Sequence, residues 1–366
     1  MKVNSMVHTV TMGTITLQRD KLTWRLPVAA AVAVTLMIVV FTALGWRDKT
    51  LPLAAAALFI PISGTSDPPN RRLITQLWTL LWLMLATFLG GLLSYDFQGS
   101  IIIGVLVSSV VAFICGFVGG AGVNARTSGM LSLVLFAIFL GVPVARDSAV
   151  QDGLLVGLGG ITVMGCLIVL RRLFKLPPTW GAPKQVSGVI ARLRPRLNPR
   201  DDFFRHGVRL AGAFTTATII AECLKWPHQY WIPMTVAWVS VPDINGTATR
   251  IAARIFGTII GIAAVTFFIE IVHLGPYETA VLVGVGGLVT MMFIAANYMI
   301  AVAGVTVFLI ALFNIIGEPL GPSVHYRILA TLAGGAISIA WSLVWVSTTH
   351  QHRNRLFRKS ALRTNI

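Results

Sequence analysis

Apolar runs separated by short polar breaks recur along the whole chain, near 27–44, 51–63, 73–94, 101–118, 128–144 and 153–170. A second set lies near 207–224, 231–242, 252–272, 277–295, 298–316 and 326–347. Most are about 20 residues long, the length that carries a helix across bilayer hydrocarbon. None alternates with period two, and lipid-embedded backbone is satisfied only in helices or closed barrels. The pattern therefore predicts an all-α integral membrane protein with about 12 transmembrane helices, six in each half. The runs at 51–63 and 231–242 are the short ones. Read as re-entrant loops, they leave five crossings per half.

The two sets of six are related in detail. "PISGTSDPPNRR" (61–72) parallels "PDINGTATRIAAR" (242–254), and in both the glycine of Gly-Thr precedes an arginine by eight residues, Gly64 to Arg72 and Gly246 to Arg254. Asn124 and Asn297 each stand at the opening of the fifth run of their half. "DGLLVGLGG" (152–160) aligns with "RILATLAGG" (327–335), which sets Asp152 against Arg327 and predicts an ion bridge between the halves on the outer side. Six crossings is an even number, so the repeats are parallel and related by an axis along the membrane normal. The expected organisation is a first six-helix repeat over 1–172, a basic linker over 173–205 and a second repeat with a basic tail over 206–366.

Composition agrees with this class: 55% of the 366 residues are hydrophobic and only 11% charged. The net charge of +16 raises nucleic acid as a partner, but the position of the charges points elsewhere. With the amino terminus inside and every run crossing, 24 of the 29 Lys and Arg fall on the cytoplasmic side, and only Arg47, Lys49, Arg146, Lys225 and Arg327 fall outside. The positive-inside rule accounts for that split. It predicts an inner-membrane protein with both termini and the linker cytoplasmic, anionic lipids of the inner leaflet as counter-charge, and no nucleic-acid partner. Re-entrant short runs would move the ten basic residues of 171–209 outside, which favours crossing. Residues 1–24 have no long apolar core, and the run from Pro27 lacks a small-residue cleavage site, so it reads as a retained helix rather than a signal peptide.

Other chemistry is sparse. Cys115, Cys166 and Cys223 are scattered through apolar runs and read as small buried hydrophobes, and "HQH" at 350–352 stands in a basic tail, so neither a disulfide frame nor a metal site is expected. There is no phosphate-cradling loop, and no nucleophile stands at usable spacing from a base. The chain reads as a non-enzyme without a cofactor. A scaffold or lipid-binding membrane protein fits the hydropathy but leaves the paired breaks without a purpose.

Those breaks are the main functional signal. Interrupted or short apolar segments at matching places in two repeats point to a transporter's binding site. Pro61 and Pro242 tend to end the second helix of each repeat, Gly64 and Gly246 permit a reversal, and the third helices are expected to start near Asn70 and Thr249. A helix start with an adjacent arginine, Arg72 or Arg254, attracts anions. Arg250 and Arg254 share a face at i, i+4 and can grip one carboxylate together. Trp231, beside Pro233, is a candidate to contact a substrate ring. A purely topological role for these arginines and a belt role for the aromatics remain the competing reading. Asp243 and Glu222 are the candidate proton carriers, and Glu222 can alternatively pair with Lys225.

At these residues the chain resembles the fusaric acid resistance family of aromatic carboxylic acid exporters, whose repeats carry an aromatic-Trp-x3-Thr segment followed by Arg-x3-Arg-x2-Gly-Thr-x2-Gly. Tyr230, Trp231 and Thr235, then Arg250, Arg254, Gly257, Thr258 and Gly261, match it, whereas Thr75, Gln76 and Thr79 replace the glycine, threonine and glycine in the first half. Many relatives carry a large cytosolic domain, and between its halves this chain has only the linker. The resemblance implies proton-coupled export of aromatic acids, often with a periplasmic adaptor. A malate-type anion channel, which shares the six-helix unit, is the alternative. The expected substrate contacts are Arg72, Arg254, Arg250, Trp231, Thr235, Gly246, Asn297 and Asn124 around a central path between the repeats. The expected cargo is a small organic anion, and the expected coupling ion is the proton.

Overall fold

The structure is a computed structural model that describes residues 10–96, 101–142, 146–175 and 188–344, and every regular element among them is helical. The first half contains α1 (Arg25–Ala43), α2 (Thr50–Ile62), α3 (Pro69–Asp96), α4 (Ile101–Phe117), α5 (Val123–Gly141) and α6 (Arg146–Leu173). A single turn of helix, α7 (Val189–Leu193), lies in the linker, of which residues 176–187 lie outside the described residues. The second half contains α8 (Asp202–Leu224), α9 (Trp231–Val239), α10 (Ile244–Thr266), α11 (Pro276–Phe293), α12 (Tyr298–Ile316) and α13 (Leu320–Val344).

All twelve apolar runs are helices, but they are not equivalent. Ten are long and apolar enough to cross a membrane. The other two, α2 and α9, have 13 and 9 residues, or roughly 20 and 14 Å at 1.5 Å per residue, against about 30 Å of hydrocarbon. In α2 the chain stops one residue past Pro61: Ser63 is extended and bonds back to the Ile60 carbonyl, and Gly64 turns the chain at φ 67°. In α9 helix ends at Val239, three residues before Pro242, and the turn into α10 needs no left-handed glycine. Gly246 instead lies in the first turn of α10, which begins five residues before the expected Thr249 because polar first turns do not register as hydropathy.

The two short helices form the centre of the molecule. Every residue of α9 is buried, and so is every residue of α2 except Pro61. The long helices surround them and turn apolar residues outward, such as Trp78, Leu81, Trp82 and Leu85 on α3 and Phe256, Ile259 and Ile260 on α10, as a lipid-facing surface does. Contacts between the halves are reciprocal: α1 packs on α11 as α4 packs on α8, and α2 meets α12 as α5 meets α9. In each case the partners hold exchanged places in the helix order, the signature of two-fold packing.

Asn297 supports this frame. Its Oδ1 accepts from the Ile300 N–H at 3.1 Å and caps α12, while its Nδ2 faces the carbonyls of Thr14, Ile15 and Thr16 at 3.1–3.3 Å and holds the N-terminal segment down. Both parts of this side chain are thus engaged in the scaffold. Asn297→Ala removes a helix cap and a buried donor together, so a loss of about 1–3 kcal/mol is expected. It should be read as a lower thermal midpoint and faster proteolysis near residue 15.

Candidate functional site

The turn into α9 is made by two left-handed residues, Lys225 at φ 48° and His228 at φ 54°. Pro233 stands in the first turn of α9, where the N–H it lacks has no intrahelical partner anyway. Trp231 and Trp238 are seven residues apart and share one face of the helix.

The chain then enters α10, capped by Asp243, whose Oδ2 accepts from the Gly246 N–H at 2.6 Å. Arg250, Arg254, Gly257 and Gly261 follow at i, i+4, i+7 and i+11, along one stripe. The two glycines bring α10 against the backbone of α12. A Cβ at Gly261 would lie 2.6 Å from the Ala303 carbonyl oxygen, and one at Gly257 would collide with the Met299 carbonyl. This close approach carries Arg250 and Arg254 to Tyr298 at the start of α12.

The result is a buried cluster of cations and rings. Arg250 donates from Nη1 to the Trp238 carbonyl at 3.0 Å, and its guanidinium lies 5.2 Å from the Tyr298 ring centroid. Arg254, 1% exposed, lies 6.0 Å from the Trp238 ring, and its Nε and Nη2 have no hydrogen-bond partner. Arg327 of α13, 0% exposed, lies 4.9 Å from the Trp231 ring, and none of its three nitrogens has a partner. Arg254 is close enough to act on the charge of Arg327. The Trp231 Nε1, Thr235 Oγ1 and Thr258 Oγ1 are also buried without partners. Phe59 of α2 meets Trp238 edge-on at 6.1 Å. No ion pair reaches Arg254 or Arg327 among the described residues.

Magnitudes decide what this means. A cation over a ring recovers on the order of 2 kcal/mol when desolvated, whereas burying a charge without a partner costs several. Cationic side chains inside a membrane are accordingly paired or face a functional path. Two guanidiniums beside indole faces are complementary to a carboxylate attached to a ring. Because the cluster is fully buried, a ligand reaches it only when the surrounding helices open.

The first half is built differently at the equivalent place. Arg72 donates from Nε to the Gly64 carbonyl at 3.1 Å and from Nη2 to the Thr65 carbonyl at 3.4 Å. Gln76 Nε2 donates to the Ile60 carbonyl at 3.2 Å, Thr75 bonds the Asp67 carboxylate, and Thr79 bonds Ser128. The residues that replace the glycine–threonine pattern therefore tie the turn down. Arg72 lines a small cavity of about 60 Å³ with Pro27, Thr65, Gln76, Met164 and Arg171. Arg72 and Arg254, both expected to contact substrate, touch different partners in different halves.

The remaining expected contacts are dispersed. Trp231, Thr235, Arg250 and Arg254 meet in the cluster. Gly246 and Asp243 form the cap of α10, Asn297 caps α12, and Asn124 stands half-buried in the first turn of α5. Glu222 accepts from Gln229 Nε2 at 3.1 Å near the far end of α8. The bridge between Asp152 and Arg327 does not form: Asp152 is buried where Lys49 and Asp48 act on it, while Arg327 lies over Trp231. Aligned residues of a repeat occupy equivalent places, not neighbouring ones. The cluster is also not shared evenly between the halves, because its cations and indoles all come from the second.

Sequence reasoning missed Arg327 as a site residue, along with Trp238 and Tyr298. The signals were present, since Arg327 is one of only five basic residues on the basic-poor side of the hydropathy plot and Trp238 repeats Trp231 after two helical turns.

His228 closes the cluster at one end. Its ring stacks on Trp231 at 4.4 Å and 16°, with Tyr230 Oη at 3.2 Å, Ser323 Oγ at 3.3 Å and the Glu318 carboxylate at 3.6 Å. Burial lowers its pKa from the ordinary 6.5, Glu318 opposes that shift, and Arg327 adds to it. The fold thus favours neutral His228 while the unfolded chain takes up its proton at the ordinary pKa. Stability is complete above about pH 6.5 and falls as the pH drops below it. His228→Gln should flatten the thermal midpoint between pH 7.5 and 5, measured in detergent.

The family match falls on this half of the chain. Residues 216–341 match the family described as fusaric acid resistance protein-like. The inner membrane protein YccS of Escherichia coli (strain K12) is 28% identical over 183 residues, 49% of this chain and 25% of that protein. The uncharacterized protein ORF2 of Neisseria gonorrhoeae is 29% identical over 157 residues, 42% of this chain and 36% of that one. An uncharacterized Haemophilus influenzae protein is 31% identical over 149 residues, 39% and 20% of the two. The chain thus aligns with about a fifth to about a third of the length of these relatives. No solved structure matches it.

Proposed function

We propose that this chain, a membrane protein of the fusaric acid resistance-like family, moves amphipathic organic anions, aromatic carboxylates among them, out of the cytoplasm across the inner membrane. The observation that carries this reading is the pair of buried guanidiniums short of acceptors, Arg254 at its Nε and Nη2 and Arg327 at all three nitrogens, each set against an indole. A carboxylate supplies the missing acceptors in a two-pronged bond to a guanidinium, and an attached ring replaces apolar contacts at Trp238 and Phe59. Arg250 is held by the Trp238 carbonyl and fixes the end of α9 beside the anion.

In this proposal α2 and α9 complete a twelve-crossing, two-repeat arrangement whose thin centre is the transport region. Both termini and the linker are cytoplasmic, and a periplasmic adaptor extends the route in the cell. The role is transport rather than catalysis.

A passive organic-anion channel is the second reading, and one observation favours it. The expected proton carriers stand apart from the cluster: Asp243 is occupied as a helix cap and Glu222 is held by Gln229. Reconstitution into liposomes with an imposed pH gradient, scanning aromatic and aliphatic acids, tests both. Saturable, gradient-dependent movement of aromatic acids is the expected result. Gradient-independent flux selects the channel, and no movement of any acid removes the proposal.

A further inference from the structure

Trp231 and Trp238 are two turns apart on α9, a rise of roughly 10 Å. Each indole has its own cation, Arg327 on Trp231 and Arg254 on Trp238, and the cations come from different helices, α13 and α10. Arg327 has no partner at any of its three nitrogens, and Arg254, which meets Tyr298, has none at Nε and Nη2. The two environments also differ. Arg254 shares its surroundings with Tyr298 and Arg250, whereas Arg327 lies beneath the Trp231 ring on which His228 stacks, and His228 is tied in turn to Ser323 and Glu318. A single small carboxylate cannot span both indoles at that separation.

Resting on the anion-transport reading, we infer that α9 presents two successive carboxylate stations, an inner one at Arg254 and Trp238 and an outer one at Arg327 and Trp231, between which the anion is handed on. Each station takes one carboxylate in a guanidinium fork with its ring against the indole. The buried Trp231 Nε1 and Thr235 Oγ1, both without partners, lie on the stretch of α9 between the stations or at its outer end and supply donors on the way. Two positive stations prevent the anion from meeting bare hydrocarbon at any point along the short helix. Their mutual repulsion falls when either is filled and returns when it empties, so a carboxylate is not trapped at the first.

The test is benzoate binding to the purified full chain in nanodiscs, read by titration calorimetry for stoichiometry. Wild type should bind two benzoates per chain. Arg327→Gln and Arg254→Gln should each bind one, the lost site weakening by about 10- to 100-fold. Removing an unpaired buried cation does not destabilise the empty protein, so both variants should melt no lower than wild type without benzoate and gain less from it. Arg327→Lys keeps the charge but loses the fork and should weaken the outer site alone. One benzoate per chain, abolished by either glutamine variant, means a single shared site and overturns the two stations while leaving transport intact. Two benzoates retained by both Arg327 variants equally overturns the outer station. Absence of any benzoate binding to wild type overturns the stations, and the transport reading then stands or falls on the liposome assay.

Discussion

Arg254→Lys should insert and fold as wild type does, yet lose about 10- to 150-fold in apparent affinity for a transported aromatic acid, the value of one charge-assisted hydrogen bond of roughly 1.5–3 kcal/mol. Lysine preserves the charge that a topological role requires. What it lacks is the planar fork that meets both oxygens of a carboxylate and lies flat over an indole. The structure sharpens the contrast with the first half. Arg72 already donates to the Gly64 and Thr65 carbonyls, so its guanidinium is in structural use, and Arg72→Lys should change transport much less than Arg254→Lys. Wild-type kinetics for Arg254→Lys, measured on a proven substrate in liposomes, would make the arginine an anchor and remove it from the site.

Gly261→Val is expected to be the most damaging single change to the fold of this region. A side chain there meets the Ala303 carbonyl oxygen at 2.6 Å and Thr306 Cβ at 2.7 Å. Overpacking of a core by adaptable side chains costs about 1–3 kcal/mol. Here the obstacle is the backbone of α12, which cannot move aside without carrying Tyr298 away from Arg250. Membrane helices that approach this closely depend on small residues at the crossing. The measurement is recovery of monodisperse protein from detergent, with a near-complete loss expected. The equivalent first-half position gives the control: Thr79 already has a side chain, bonded to Ser128, and Thr79→Val should cost only about 1 kcal/mol. Equal recovery of both variants would show that the glycine does not set the approach of α10 to α12.

Hydropathy located the twelve apolar helices, because in lipid the alternation of apolar runs and polar breaks is itself the architecture. Residues 298–316 are α12 to the residue. It failed where helix is polar: α10 begins eight residues before its apolar run, since Asn245, Thr247, Thr249 and Arg250 belong to its polar first two turns, capped by Asp243. Trp231, Thr235, Arg250 and Arg254 were legible as site candidates because their motif is local. Arg327 was legible only as a charge. Whether a buried cation has an acceptor depends on what four or five helices bring to it, and no spacing along one chain reports that. Asn297 and Asp243, which cap helices, are ambiguous for the opposite reason: a polar residue at a helix start looks the same in sequence whether it serves the backbone or a ligand.

The reciprocal packing of the two halves has one further consequence. Two identical chains meeting about a two-fold axis must carry the same residue at both copies of each position, so every costly residue is present twice. A covalent tandem is free of that constraint. Here threonines stand at 75 and 79 where the other half has Gly257 and Gly261, and an aspartate stands at 152 where the other half has Arg327. The first half ties its turn arginine, Arg72, to the Gly64 and Thr65 carbonyls, while the second leaves nitrogens of Arg254 and Arg327 without acceptors. The two halves are therefore not interchangeable, and inactivating mutations should sort by half rather than mirror each other.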